Sequence, residues 1–297
     1  MGKLPLLPFV RLAHLSDPHL PMPAGAYGWR DVLSKRTLSR IAWRRKHREH
    51  DPAILAALVA DIHGQAPDHI AITGDLTNFA SPVEVAQAAA WLASVGAPHD
   101  VTVSPGNHDA LVGAPGPERF APWAPWLGDG GGPAFPHLRV RGDLALINLC
   151  SAAPTPLHSA EGRLGADQLE RLDALLAQHA GGFRVLMLHH PPIVGAVTWR
   201  KKLVDQAGLR AVLARRGAEL VLHGHAHRAL VGAVPGPGGA TIPVLGVPSA
   251  SARGGRGPAA RWHMLEIEPG AVRVVARGLT GGAMAELGRY SLATAPI

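Results

Sequence analysis

Five short motifs, in a fixed order along the chain, carry side chains that bind metal ions. They are Asp17-Pro18-His19, Gly74-Asp75, Gly106-Asn107-His108-Asp109, His189-His190 and His223-Gly224-His225-Ala226-His227. Together they supply carboxylates, one carboxamide and several imidazoles. Mixed oxygen and nitrogen donors of this kind suit Mn, Fe, Co or Zn and disfavour Ca. Two such ions side by side polarise phosphoryl oxygens and generate hydroxide near neutral pH, which is the chemistry of phosphate-ester cleavage. Each motif alone is an ordinary polar loop or turn. The ordered set points to a binuclear site, and the alternating imidazoles at 223, 225 and 227 are its strongest part.

Residues so far apart in sequence need a scaffold that gathers them. The apolar run 9–15 reads as a strand that ends at Asp17. Asp51-Pro52 reads as an N-cap followed by proline in the first turn, opening a helix to about Gly64. Residues 69–73 form the next expected strand, ending at Asp75. Ser81-Pro82-Val83-Glu84 is a capping box for a helix to about Val95. The run 100–103 is a strand leading to Asn107 and His108. Three motifs thus follow three strands in β-α-β-α-β order, where open α/β sheets place their ligands.

The middle is less regular. Residues 113–136, rich in Gly and Pro and containing Trp123 and Trp126, read as a long loop over one end of the sheet. Strands are expected at 137–141 and 144–149. A helix at about 166–179 follows, with Leu169, Leu172, Leu175 and Leu176 at helical spacing. A strand at 183–188 delivers His189. A helix at 205–216 precedes a strand at 219–222 that delivers the last histidine cluster. Short strands at 229–234, 241–247, 261–268 and 271–278 complete the chain. Periodicity alone supports α/β or α+β.

The motif order resembles that of the calcineurin-like metallophosphoesterase superfamily, D-x-H, G-D, G-N-H-[DE], H and G-H-x-H, from Asp17 to His227. Length and motif spacing look most like the bacterial cyclic-nucleotide-phosphodiesterase-like members. The resemblance implies an α/β fold, a four-layer αββα sandwich of two mixed sheets flanked by helices. The binuclear site would lie at the strand C-terminal ends. It implies Asp17, His19 and His227 on a first divalent metal, Asn107, His189 and His225 on a second, and Asp75 bridging the two. His108 resembles the family's histidine that contacts the phosphoryl group and helps the leaving oxygen depart. Asp109 is expected to orient His108, since a carboxylate beside an imidazole fixes its tautomer. His190 and His223 stand outside the implied ligand set as secondary candidates.

The function implied is hydrolysis of small, cyclic-nucleotide-like phosphodiesters by in-line attack of a hydroxide shared by the two metals. One alternative is a pyrophosphatase acting on a UDP-acyl-sugar lipid precursor at the membrane surface. Another is a metal-binding scaffold without catalysis, against which stands the full set of ligands. His14, His63, His99 and His137 have no such support and read as structural or surface residues.

With 297 residues, 47% of them hydrophobic, the chain can bury one large core, and a single domain over 1–297 is the simplest organisation. The net charge of +7 is concentrated. Arg30, Lys35, Arg36, Arg40, Arg44, Arg45, Lys46 and Arg48 crowd an insertion at about 24–50 that also holds Trp29 and Trp43. Such a cluster is solvated surface, or a contact for nucleic acid, acidic lipid, an anionic substrate or a second copy of the chain. The lone Cys150 lies in an apolar run and reads as a buried, inert thiol; it excludes an internal disulfide framework. The proline-broken N-terminus does not read as a signal peptide, and no segment is long enough to span a bilayer. The expected location is cytoplasmic, or peripheral to the inner face of the membrane.

Overall fold

Alternation along the strands sorts the side chains into layers. In β1 (Val10–Leu15), Leu12 belongs to one buried cluster while Ala13 and Leu15 belong to another. In β5 (Leu144–Asn148), Leu144 and Leu146 face the cluster that holds Leu12, and Ile147 faces a third. A strand's period of two sends neighbours to opposite faces. A sheet apolar on both faces must be covered on both. The computed structural model describes residues 10–24, 26, 49–111, 117–156, 158–255 and 257–294.

Two six-stranded mixed sheets meet these requirements. The first has the order β12-β11-β10-β1-β2-β3, with β2 at His69–Ile72, β3 at Val101–Val103, β10 at Arg261–Glu268, β11 at Ala271–Thr280 and β12 at Ala283–Ala293. The second has the order β4-β5-β6-β7-β9-β8, with β4 at His137–Arg141, β6 at Phe183–Met187, β7 at Leu220–His223, β8 at Leu230–Pro235 and β9 at Thr241–Gly246. The cluster between the sheets joins Leu12, Leu265 and Val274 of the first to Leu146, Val185 and Leu222 of the second. Helices α1 (Pro52–Gly64) and α2 (Pro82–Val95) cover the outer face of the first sheet. Helices α4 (Ala166–Gln178) and α5 (Gln206–Arg216) cover that of the second. The layers are the αββα sandwich expected from the sequence.

The local signals act as read. Asp51 accepts from Ala53 N at 2.8 Å, capping α1. Ser81 and Glu84 form the capping box of α2. The Glu84 carboxylate also accepts from Asn78 N at 2.9 Å and Phe79 N at 3.2 Å, so the same residue fixes the loop that precedes the helix.

Two segments differ from the sequence reading. Within 113–136, Pro117–Trp123 is a 3-10 turn and Ala124–Leu127 is the short helix α3, not an open loop. Trp123 is fully buried and donates to Val85 O at 2.9 Å. Prolines 122 and 125 break the spacing that reveals a helix, while burial of the indole decides the conformation. The other segment is β12, which the sequence reading omitted. Gly281-Gly282 turns the chain directly into this edge strand, whose mostly exposed side chains lack an apolar stripe. The basic insertion lies outside the described residues apart from Ala24, Ala26, Glu49 and His50.

Candidate metal centre

β1, β2 and β3 run parallel, as do β6, β7 and β9, so the turns that follow them gather at one edge of the sandwich. Backbone hydrogen bonds continue past the strand ends. Asp17 N donates to Gly74 O at 2.9 Å and His19 N to Asp75 O at 3.0 Å within the first sheet. Gly224 N donates to His189 O at 3.1 Å within the second. The sheets are tied together where His225 N donates to Asp17 Oδ2 at 3.1 Å.

Asp17, His19, Asp75, His225 and His227 all hold positive φ, between 42° and 64°. Residues other than glycine seldom adopt this region, and they keep it only where surrounding contacts enforce it. The glycines of the motifs have a different cause. A Cβ on Gly106 would strike Asp75 Oδ1, and one on Gly224 would strike Ser16 Oγ and lie 2.5 Å from Asp17 Oδ2. These positions must be bare for the loops to approach.

All seven expected ligands come together. Donor atoms of Asp17, His19, Asp75 and His227 lie within 4.8 Å of one another, as do those of Asp75, His189 and His225. Asp75 is shared by the two groups. Its Oδ2 lies 3.9 Å from His19 Nε2 and 3.3 Å from His189 Nε2. Asn107 joins the second group, with Oδ1 3.2 Å from His189 Nε2.

Tautomers test whether these residues fit cations. His189 Nδ1 faces the Thr73 carbonyl at 2.6 Å and must donate to it. Its Nε2 then faces oxygens of Asp75 and Asn107. The gap between a nitrogen lone pair and two oxygens calls for a positive charge, a metal ion or a proton. Burial opposes a proton there, but Asp75 overrides it and lifts the imidazole to about 9. His225 Nε2 donates to Lys201 O at 3.0 Å, which leaves Nδ1 with its lone pair for the second group. Burial also opposes ionisation of Asp17 and Asp75, yet His227 beside Asp17, and His189 and His108 beside Asp75, hold both well below the usual carboxylate range. Two adjacent ionised carboxylates surrounded by imidazoles fit a pair of divalent ions.

His108 lies on the wall of a cleft of about 470 Å³ that also reaches His19, Asp75, Asn107 and His227. Its Nδ1 donates to Asn78 O at 2.9 Å, so Nε2 is the nitrogen that exchanges a proton with anything bound. This corrects the expected role of Asp109. The Asp109 carboxylate does not orient His108; it accepts from the backbone N–H groups of Asp75, Leu76, Thr77 and Gly106 and from the Thr77 hydroxyl. Adjacent in sequence, the two side chains point into different surroundings.

The two secondary histidines stand outside the two donor groups. His190 takes a hydrogen bond at each nitrogen, from Ser151 Oγ at 2.8 Å and to Ala160 O at 3.1 Å, and packs 4.4 Å from the His225 ring. His223 is fully buried, with Nδ1 on Gly224 O. Cys150 is half-buried where a buried thiol was expected, and desolvation pushes the thiol up to about 12. Among the cleft residues that escaped the sequence reading are His50 and Lys201. His50 was hidden at the end of the basic insertion, and no spacing signal marks either.

The calcineurin-like phosphoesterase family model matches residues 10–229. The chain is 30% identical over 221 residues to a probable cyclic nucleotide phosphodiesterase of a Synechococcus strain, covering 72% of this chain and 77% of that protein. It is 29% identical to a probable cyclic nucleotide phosphodiesterase of Rhodococcus erythropolis, covering 73% of this chain and 64% of that protein. Similar folds occur in a dimetal phosphatase from Danio rerio, with TM-score 0.55, 12% identity and coverage of 96% and 99%. A purple acid phosphatase from yellow lupin seeds matches with TM-score 0.59 and 11% identity over 96% of this chain and 54% of that one. The chain belongs to the calcineurin-like phosphoesterase family, metal-dependent phosphoester hydrolases that use a dinuclear divalent metal site.

Proposed function

We propose that the protein hydrolyses small phosphodiesters of the cyclic-nucleotide kind. The observation that carries the hydrolytic part is the position of Asp75, one carboxylate common to two groups of donors. The diester part is supported by the two bacterial relatives, both named as probable cyclic nucleotide phosphodiesterases. Asp17, His19, Asp75 and His227 would hold one metal ion, and Asp75, Asn107, His189 and His225 the other. When bound, the pair would neutralise phosphoryl oxygens and activate water. Mn, Fe, Co and Zn all suit this donor set.

The chain's own residues then orient and protonate. Glu84 fixes the loop carrying Asn78. The Asn78 carbonyl in turn holds Nδ1 of His108, so Nε2 is the atom that delivers a proton to the departing oxygen. Lys201 lines the wall of the same cleft, where its carbonyl accepts from His225 Nε2 at 3.0 Å. We place the protein in the cytoplasm, a reading supported by its single, inert cysteine.

The test is hydrolysis by the Mn-loaded protein of a cyclic nucleotide and a UDP-linked acyl-sugar side by side, following phosphorus products. Preference for the cyclic nucleotide supports the proposal. Preference for the lipid-linked pyrophosphate overturns it and assigns the basic insertion to the substrate's membrane.

A further inference from the structure

A second concavity stands apart from the metal cleft. It holds about 600 Å³, against about 470 Å³ for the cleft, and among the described residues the two share no lining side chain. Its walls come from the 3-10 turn Pro117–Trp123, the segments around 133–135 and 150–154, and the start of α4. Phe120, Pro133, Phe135, Pro154 and Leu164 make the apolar part of the lining. Arg119, Arg163 and Arg171 bring three guanidinium groups, and Asp167 is the one carboxylate among the described lining residues. Ala110, at the rim, ends the 3-10 turn that carries His108 and Asp109, so the pocket borders the metal loops without sharing their donors.

The frame that presents the arginines is fastened on every side. Arg163 N donates to Ser151 O at 3.0 Å, and the next two amides, Leu164 N and Gly165 N, donate to the Asp205 carboxylate at 3.0 and 2.7 Å. Gln168 ties α4 to the end of β5, accepting from Cys150 N at 2.8 Å and donating to Cys150 O at 2.9 Å. The side chains at the wall are less committed. The Arg163 guanidinium makes no hydrogen bond or ion pair, although Asp167 lines the same pocket. Arg171 donates from Nε to Phe135 O at 2.8 Å, which anchors its fork and leaves both Nη groups uncommitted. Arg119 adds its charge whatever else it touches. A guanidinium fork matches the oxygens of a phosphate or carboxylate. Like charges lining a concavity focus their field on an anion inside it. Two uncommitted forks and a third positive charge, against one carboxylate, match a doubly charged oxyanion better than a singly charged one. The apolar wall beside them suits a small hydrophobic body on the same molecule.

We propose that this pocket is a second ligand site, which takes a small organic phosphate monoester through Arg163 and Arg171. The assignment stands apart from the metal chemistry. Phenylphosphonate is the probe, since it has this charge and body and no ester bond to cleave. Its binding to the Mn-loaded protein is measured calorimetrically at mildly alkaline pH, where it is doubly ionised. Wild type should bind one equivalent here, in addition to any held at the metal centre. Arg163→Glu removes no contact of the fold and should bind this equivalent roughly 10–100-fold more weakly, as expected for lost hydrogen bonds to a charged group. Arg171→Gln keeps an N–H for Phe135 O and should also weaken it. Both variants should keep wild-type melting temperature, metal content, and kcat and KM with bis(p-nitrophenyl) phosphate. Benzenesulfonate, with the same body and a single charge, should bind more weakly than phenylphosphonate in wild type. Unchanged stoichiometry and affinity in folded Arg163→Glu and Arg171→Gln overturn the proposal, as does no binding by any of the proteins. Equal affinity for the two probes overturns the doubly charged ligand. If the metal centre holds no probe, wild type should bind one equivalent and Arg163→Glu none, which supports the pocket while counting against the phosphoester reading of the metal centre.

Discussion

Asp109 Oδ2 accepts the backbone N–H of Asp75 at 2.9 Å, so the acid next to His108 supports the loop of the carboxylate shared by the two donor groups. The same oxygen accepts from Gly106 N at 2.8 Å, while Oδ1 accepts from Thr77 N at 2.8 Å. One buried carboxylate thereby fastens the loops after β2 and β3 to each other. Asp109→Asn places an amide N–H2 against these donors. The protein should lose roughly 1–3 kcal/mol of stability, the cost of unpaired buried donors, and bind metal more weakly. Urea midpoints and metal titrations check both; a variant of wild-type stability would refute the fastening role.

Asp75→Ala removes the one oxygen donor common to both metal groups. Metal content should fall for both ions together, and turnover should drop at least as far as the roughly 10–100-fold typical of lost supporting residues. Elemental analysis and turnover are the readouts. Retention of two ions per chain with near-normal turnover would sink the bridging assignment.

His108→Ala leaves every ligand in place. Metal content should match wild type while kcat falls roughly 10²–10⁴-fold, the range for a lost acid–base group. If metal is lost instead, His108 belongs to the ligand set.

Gly224→Ala tests the close approach of the last histidine loop to β1. The added methyl would collide with Ser16 Oγ, which donates to Thr73 O at 3.0 Å, and press on Asp17. Overpacking of this kind costs about 1–3 kcal/mol, and here it displaces a ligand. A lower melting temperature and weaker metal binding are expected in the same variant, while an unchanged pair of values would contradict the account.

Acid should destabilise the fold through histidines buried in their neutral form. Burial, with nearby arginines, holds His69 and His263 at about 3, against 6.5 for the free group. Between these values the unfolded chain binds more protons than the folded one. Stability is therefore full above about pH 6.5 and is lost as pH falls toward 3, by up to about 1.4 kcal/mol per pH unit for each histidine. Urea midpoints at pH 7.5 and 5 measure the slope, which His263→Leu should flatten; equal slopes would exclude His263 as a contributor.

The chemistry was legible in the sequence because its carriers are local. Asp17-x-His19, Gly74-Asp75 and Gly224-His225-Ala226-His227 each need a strand end and a tight turn, and both leave marks over a few residues. Caps at Asp51 and Ser81 announced α1 and α2 for the same reason. What depended on distant partners was not legible. Asp109 looked like a partner of His108 because the two are adjacent, yet most of the amides that satisfy its carboxylate lie more than thirty residues away. Trp123 sits among prolines that read as loop, and only its packing and hydrogen bond beside Val85 make it core. His50 reaches the cleft through backbone pairing with 251–253, some two hundred residues later in the chain. Motif spacing fixes which atoms can bind a metal. Packing of one sheet edge against the other decides which of them meet, because hydrogen bonds and volume are satisfied in space and not along the chain.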